Sequence, residues 1–417
     1  MPRAFYLILA VQFLSTLADN AFLIVAIARI VELSGPAWLI PLLKISFTLF
    51  YVILAPFVGP LADALPKGRV MVVANFLKVC AMVLLLSGVS PIVAIGVAGL
   101  GAAIYAPAKY GLITELLPAR DLVRANGFFE STTVCAVILG TVLGGVLVSP
   151  VMPQLGSTFA LHMDAMASTT LVAGMLVLLT MNFIAMLLSL GVLDSGARYA
   201  PHSFHPAELV RGFVSGNSLL WRDPQGGMSM AVTTLLWGVG ATLQLIVLRW
   251  ANEVLGLPLA QAAYLQGVTA LGVVVGAVCA SRMVSLKNAE RLLPMGILLG
   301  LLVLNLLWIE SPVTAAIMLV VVGGIAGFFV VPMNALLQHR GCTLLTAGRS
   351  VAVQGFNENG GMLLMLAIYA GAIGLQLPLF SLIVGFAMFI ALGMTVIWIF
   401  WRRAEQSSIK RRICNIH

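Results

Sequence analysis

The chain has 417 residues, 61% of them hydrophobic and 9% charged, where a soluble domain carries about 25% charged residues. A chain this apolar has to use lipid as part of its solvent, which excludes an ordinary soluble protein. Its net charge of +8 does not point to nucleic acid, because Lys and Arg sit in short loops between apolar runs and not along one polar face.

In chain order, the first apolar run follows Arg3 and looks at first like a signal peptide. It carries Asp19 and Asn20 near its middle and has no small-residue cleavage site, so it reads as an uncleaved first spanning helix. A spanning helix needs about 20 mostly apolar residues. Such runs occur near 4–31, 38–62, 68–88, 91–116, 121–149 and 165–193. A second set lies near 228–250, 259–284, 291–309, 312–338, 346–373 and 377–401. This predicts an all-α integral membrane protein of twelve helices. It divides into an N-terminal six-helix half over 1–193, a linker over 194–227, a C-terminal half over 228–401 and a basic tail over 402–417. In the linker, Leu209, Phe213 and Leu220 are spaced as one apolar stripe beside Glu208, Arg211 and Arg222. Both an amphipathic surface helix and a plain linker fit that pattern.

Basic residues alternate from loop to loop. Lys67 and Arg69 lie between spans 2 and 3, Arg120 and Arg124 between 4 and 5, and Arg198, Arg211 and Arg222 between 6 and 7. Arg282, Lys287 and Arg291 follow span 8, Arg340 and Arg349 flank the 10–11 loop, and five more basic residues fill the tail. The other connections, near 32–37, 150–164, 252–258 and 374–376, carry no Lys or Arg. The positive-inside rule then puts both termini and the linker in the cytoplasm. Five scattered cysteines form no CxxC pair, so neither a metal nor a cofactor is expected.

The two sets of spans echo each other. Gly99 and Pro107 match Gly324 and Pro332, and Gly127-Phe128-Phe129-Glu130 matches Gly355-Phe356-Asn357-Glu358. Two six-helix halves in parallel repeat describe the major facilitator architecture, whose halves rock around a site near the bilayer midplane. With no GxxxxGK[ST] loop, ATP-driven transport by this chain alone is not expected.

Between spans 2 and 3 the sequence runs Gly59-Pro60-Leu61-Ala62-Asp63-Ala64-Leu65-Pro66-Lys67-Gly68-Arg69. Gly59 lets another helix pass closely. Asp63, one turn on, is placed to accept from a basic side chain or from the N–H groups that open a helix of the other half. Lys67 and Arg69 pair with acids or lipid phosphates. Together they read as a cytoplasmic gate.

Ionisable groups inside spans each cost about 2.5–3.5 kcal/mol at mid-membrane on insertion scales, so each needs a reason. At about 1.5 Å per residue, Asp19 lies roughly 22 Å in from the cytoplasmic end, Glu358 roughly 18 Å and Lys78 about 15 Å. Gln244 matches the level of Asp19. Lys109 and Glu130 share a depth on consecutive helices, which predicts an ion pair, and the repeat maps them to Asn334 and Glu358. Arg29 and Arg249 sit near the outer ends of spans 1 and 7, as an outer gate or as ligands for lipid phosphates.

Several runs then resemble the bacterial lysophospholipid transporter family of major facilitators. They are Ala18-Asp19-Asn20-Ala21, Ala55-Pro56-Phe57-Val58-Gly59, Lys67-Gly68-Arg69-Val70 and Pro107-Ala108-Lys109-Tyr110-Gly111. Phe328-Phe329-Val330-Val331-Pro332, Asn334-Ala335-Leu336-Leu337-Gln338 and Ala352-Val353-Gln354 complete the set. The resemblance implies facilitated flipping of lysophospholipids, chiefly lysophosphatidylethanolamine, from the outer to the inner leaflet of the bacterial inner membrane. It also implies a partner acyltransferase/acyl-carrier-protein synthetase, and a role for Asp19 and Glu358 as embedded acids. The family carries an Arg in span 7 where this chain reads Thr242-Leu243-Gln244, so a partner for Asp19 across the halves is not implied here. The alternative expectation is a proton-coupled drug or metabolite exporter of the same fold. No HxxxxD arrangement suggests an enzyme.

Overall fold

The computed structural model describes residues 3–34, 39–148, 169–192, 194–197, 199, 205–257 and 259–414. Arg198, part of the 32–37 connection and all of the 150–164 connection lie outside them. The described residues are helical with no strand, as lipid requires: a helix satisfies its own backbone N–H and C=O groups where no water is present to do so.

The first helices are α1 (Arg3–Glu32), α2 (Leu39–Ile53), α3 (Ala55–Ala64), α4 (Lys67–Leu86), α5 (Pro91–Leu116), α6 (Leu122–Leu147) and α7 (Thr169–Leu190). They are followed by α8 (Pro206–Arg222), α9 (Pro224–Glu253), α10 (Leu259–Met283), α11 (Leu293–Val303), α12 (Pro312–Leu344), α13 (Ala347–Gly374) and α14 (Leu379–Cys414). Ten of the membrane segments are long and apolar enough to cross a bilayer outright. The stretch expected as one span over 38–62 is bent by 63° between α2 and α3. Pro56 opens α3 without an N–H to give, which breaks the ladder there. Counting this bent pair as an eleventh segment, α13 makes the twelfth. It is 28 residues long but carries Arg349, Asn357, Glu358 and Asn359, so it is less apolar than the rest. The remaining helix, α8, is the amphipathic one.

Helix starts follow local chemistry. Proline stands in the first turn of α5, α9, α11 and α12, where its missing N–H has no partner to lose. Asp223 caps α9 by accepting from the Gly226 N–H at 2.7 Å. At the other end of the chain, α14 continues through the expected tail to Cys414, with the Arg402 guanidinium over the Trp398 ring at 4.4 Å.

The chain forms two compact units that differ from the sequence halves by a reciprocal exchange. Unit 1 comprises Met1–Leu117, Thr132–Phe213 and Thr346–Gly355, and unit 2 comprises Pro118–Ser131, Val214–Leu345 and Phe356–His417. Each unit thus takes the opening turns of the helix that the repeat maps onto the other's. The core of unit 1 gathers Phe22, Val25 and Ile30 of α1, Leu43 of α2, Met82 and Leu85 of α4, Ile95 of α5 and Met175 of α7.

Close glycine contacts occur in both units. In unit 1, a Cβ on Gly99 would lie 2.4 Å from the Phe47 carbonyl of α2. In unit 2, a Cβ on Gly323 would lie 2.2 Å from the Thr269 carbonyl, and one on Gly276 only 1.9 Å from the Gly324 carbonyl. Small residues let these backbones touch, which is how helices associate without a hydrophobic drive between them.

Candidate functional site

Gln12, Ser15 and Asp19 stand at three- and four-residue spacing on α1, so they share one face. Asn75 and Lys78 do the same on α4, and Tyr105 and Lys109 on α5. In unit 1 these faces meet. Lys78 Nζ lies 2.5 Å from the Asp19 carboxylate and donates to Ser15 Oγ at 2.8 Å. Ser15 donates to Asn75 Oδ1 at 3.1 Å, and Asn75 donates to Ser189 of α7 at 2.9 Å. Lys109 Nζ donates to Gln12 Oε1 at 2.6 Å and sits 4.0 Å from the centre of the Tyr110 ring. Gln12 in turn donates to Thr133 Oγ1 of α6 at 2.5 Å. The Tyr105 ring lies between the lysines, 5.5 Å from Lys78 Nζ and 5.7 Å from Lys109 Nζ. Its hydroxyl is buried without a hydrogen-bond partner. Asn20, beside Asp19, turns back to donate to the Thr16 carbonyl at 2.8 Å.

A buried ion pair is costly unless its geometry is good and its remaining hydrogen-bonding positions are used. Here Ser15 takes a second proton of Lys78. The cluster brings together ammonium donors, a carboxylate acceptor and the buried, unpartnered Tyr105 hydroxyl. Chemically it can hold an anion by its lysines and a cation by Asp19.

A second cluster in unit 1 centres on Asp63. Its carboxylate accepts from the Gly348 N–H at 2.9 Å and the Arg349 N–H at 3.2 Å, in the first turn of α13, and from the Thr346 hydroxyl. A Cβ on Gly348 would lie 2.6 Å from the Gly59 carbonyl, and one on Gly59 2.8 Å from the Arg349 Cα. The two backbones therefore touch where the motif begins. Lys67 is buried between Asp63 at 3.6 Å and Glu115 of α5 at 2.5 Å. Glu115 also accepts from Ser195 Oγ at 2.5 Å and from Tyr199 Oη at 2.8 Å. Arg349 donates from its guanidinium to the Gly212 carbonyl of α8 at 2.8 Å. Arg69 is exposed.

The other expected residues are placed differently. In unit 2, Gln244 is exposed, and its carbonyl accepts from Gln266 Nε2 at 2.5 Å. Asn334 is buried on α12, and Glu358 is half-buried on α13. Lys109 belongs to unit 1 and Glu130 to unit 2. Arg29 is buried and bonded to Glu32, while Arg249 holds Glu253 at 2.6 Å. Each outer arginine thus engages an acid on its own helix. Asn126 and Gln338 exchange two amide hydrogen bonds, at 2.9 and 3.0 Å. Near the start of α9, Arg340 holds Asp223 at 2.5 Å. Burial alone would raise the Asp223 carboxyl, but the Arg340 hydrogen bond and charge and the Gly226 and Gln225 N–H groups outweigh it, leaving it below the usual carboxylate range.

The sequence pattern of the Major Facilitator Superfamily matches residues 8–363. The chain is 37% identical over 397 residues to a protein of Escherichia coli named lysophospholipid transporter LplT, covering 95% of each. It belongs to the lysophospholipid transporter family of the major facilitator superfamily. Solved major facilitators share the fold. The transporter FucP in its outward conformation matches with TM-score 0.70 at 16% identity, over 95% of this chain and 97% of that one. A bacterial homologue of the iron transporter ferroportin, in an outward-facing state, matches with TM-score 0.70 at 15% identity, over 96% of this chain and 100% of that one.

In this family member, sequence reasoning had singled out Asp19, Lys78 and Lys109, and the structure gathers them in one unit. It missed Ser15, Asn75 and Tyr105 around them, and Glu115, Thr346 and Tyr199 around Asp63. Hydroxyls and amides interrupt an apolar run too weakly to stand out. Glu115 stands at the end of α5, where nothing in the sequence sets it apart.

Proposed function

We propose that this transporter moves lysophospholipids, chiefly lysophosphatidylethanolamine, from the outer to the inner leaflet of the bacterial inner membrane by alternating access. There an acyltransferase/acyl-carrier-protein synthetase restores the missing chain. The observation that carries this reading is the 37% identity over 95% of the chain to proteins named lysophospholipid transporters. The site chemistry supports it. A lysolipid head combines a phosphate with, in the ethanolamine case, an ammonium. Lys78 and Lys109 suit the phosphate, and Asp19 suits the ammonium. Asn20, Glu130, Gln244, Asn334 and Glu358 are further candidates for polar contact with the headgroup. Gly59, Asp63 and Lys67 form the cytoplasmic latch, with Arg69 facing lipid phosphates. Release of Asp63 from the first turn of α13 opens that side.

The test is uptake of labelled lysophosphatidylethanolamine by spheroplasts lacking their own transporter, with and without this protein, before and after collapse of the proton gradient. Protein-dependent uptake that survives the uncoupler is expected. Uptake abolished by the uncoupler would overturn facilitated flipping in favour of a proton-coupled exporter of the same fold, and uptake absent despite good expression would point to that exporter or to a different lipid.

A further inference from the structure

Helix α8 has two different long sides. At about 100° per residue, Leu209, Phe213, Gly216 and Leu220 fall on one side, and Leu209, Gly216 and Leu220 are buried. On the other side Val210, Val214 and Trp221 fall within about 40° of one another. They are 43%, 60% and 41% exposed. Arg211 and Arg222 come next round the helix, both exposed. An apolar stripe bordered along one edge by basic side chains fits a helix lying in a lipid interface: the stripe dips toward the acyl chains and the arginines reach phosphates. Chain continuity commits the partner. Helix α8 ends at Arg222 and the membrane-crossing helix α9 begins at Pro224, so the Trp221–Arg222 end stands at a membrane boundary. Tryptophan is favoured at that level. The Lys/Arg-rich loops place this boundary at the cytoplasmic leaflet.

The same helix reaches the Asp63 cluster. The Gly212 carbonyl accepts from the Arg349 guanidinium, and the Arg349 N–H donates to Asp63. Farther along α8, Asn217 Oδ1 accepts from Asn357 Nδ2 at 2.8 Å, and Trp221 Nε1 donates to Asn357 Oδ1 at 3.1 Å. A displacement of α8 therefore acts on α13 at two places, one of them the residue that closes on Asp63.

We propose that α8 is a lipid-reading helix: Val210, Val214 and Trp221 seat it on the cytoplasmic leaflet, Arg211 and Arg222 bind anionic headgroups there, and the bound helix steadies the first turn of α13 on Asp63 through Arg349. This reading concerns the membrane around the transporter and holds whatever substrate it carries.

The test is hydrogen exchange on the full chain reconstituted in vesicles of phosphatidylcholine alone and of phosphatidylcholine mixed with phosphatidylglycerol. Amides of 206–222 are expected to exchange about thirty-fold more slowly in the anionic vesicles, the equivalent of about 1 kcal/mol per arginine near an anionic surface. Amides of 346–352 should slow in parallel. The double variant Arg211→Gln, Arg222→Gln should lose the difference, and Arg211→Lys, Arg222→Lys should keep it. Arg349→Ala should leave the lipid effect on α8 and remove it from 346–352. Exchange of the α10 and α12 amides reports whether each variant is folded. Should the Gln variant fail that control, the wild-type comparison repeated in high salt takes its place, with the difference expected to shrink as screening rises. Equal exchange of α8 in both vesicles would overturn the proposal and leave the face to a protein partner. A lipid difference that survives both the Gln variant and high salt would overturn the role of the arginines.

Discussion

Unit 1 sets Asp19, Lys78 and Lys109 on three helices, with Gln12, Ser15 and Asn75 joining them into hydrogen-bonded chains. Unit 2 shows polar contacts of another kind. Its ion pairs Arg249–Glu253 and Arg340–Asp223 are partly exposed, and in its interior Asn126 and Gln338 share neutral amide bonds. What unit 2 has instead is closer backbone contact: Gly272, Gly276, Gly323 and Gly327 each leave no room for a methyl group against the facing helix. Two repeats of one architecture have therefore diverged in what they bury. Charge in a membrane interior is costly and has to be paired, and glycine lets two helix backbones approach closely. The comparison sets a buried, hydrogen-bonded ion pair in unit 1 against a tightly apposed helix pair in unit 2.

The sharpest way to break that comparison is to unpair the charge. Lys78→Met should destabilise the protein by about 3–5 kcal/mol, because it strands the Asp19 carboxylate, while adding Asp19→Asn to it should restore most of the loss. Thermal unfolding of the purified protein reads both. A double variant no better than the single one would show that Lys78 serves packing and not charge. Transport should be lost in both.

Next in size is the glycine contact of unit 2. Gly276→Ala should cost about 1–3 kcal/mol by overpacking. Gly267→Ala, on the same helix with open space around its Cβ, should stabilise by up to about 1 kcal/mol through lost chain entropy. Like responses at the two positions would mean that contact with α12 does not decide.

Asp63→Ala removes the acceptor of the Gly348 and Arg349 N–H groups and should cost about 1–3 kcal/mol. Faster hydrogen exchange over 346–352, with slower transport, is the expected signature. Unchanged exchange there would sink the latch.

The smallest effect belongs to Asp223–Arg340. A carboxyl whose folded value is depressed adds stability that is fully present above its unfolded value, about 3.9 for Asp, and is lost as pH falls through the lower folded value. Asp223→Asn should therefore cost at most about 1 kcal/mol at neutral pH. It should also flatten the acid limb of a stability-against-pH curve below about pH 4. A change confined to pH above 5 would contradict the assignment.

Much of the fold was legible because lipid imposes one rule on the whole chain: backbone must close on itself, so apolar runs of spanning length become helices. The repeat was legible because Gly and Pro recur at the same spacing in Gly99–Pro107 and Gly324–Pro332, and the Gly-Phe-x-Glu run recurs after each. The bend between α2 and α3 was not drawn from the run over 38–62, although Pro56 was in view, since proline inside a membrane helix is often accommodated. The exchange of 118–131 and 346–355 between the compact units had no sequence mark at all.

For the site, the sequence by itself determined which residues are costly to bury: Asp19, Lys78, Lys109, Asp63 and Lys67 interrupt apolar runs or close a motif, and an interruption is local information. Tertiary structure alone decided who meets whom. Lys78 finds Asp19 across 59 positions and Asp63 finds the Gly348 N–H across 285. A backbone N–H is the same at every residue but proline, so no sequence pattern points to the one that a carboxylate will use. Pairing depends on where helices cross, and that is set by the summed packing of many small residues, not by the charged ones.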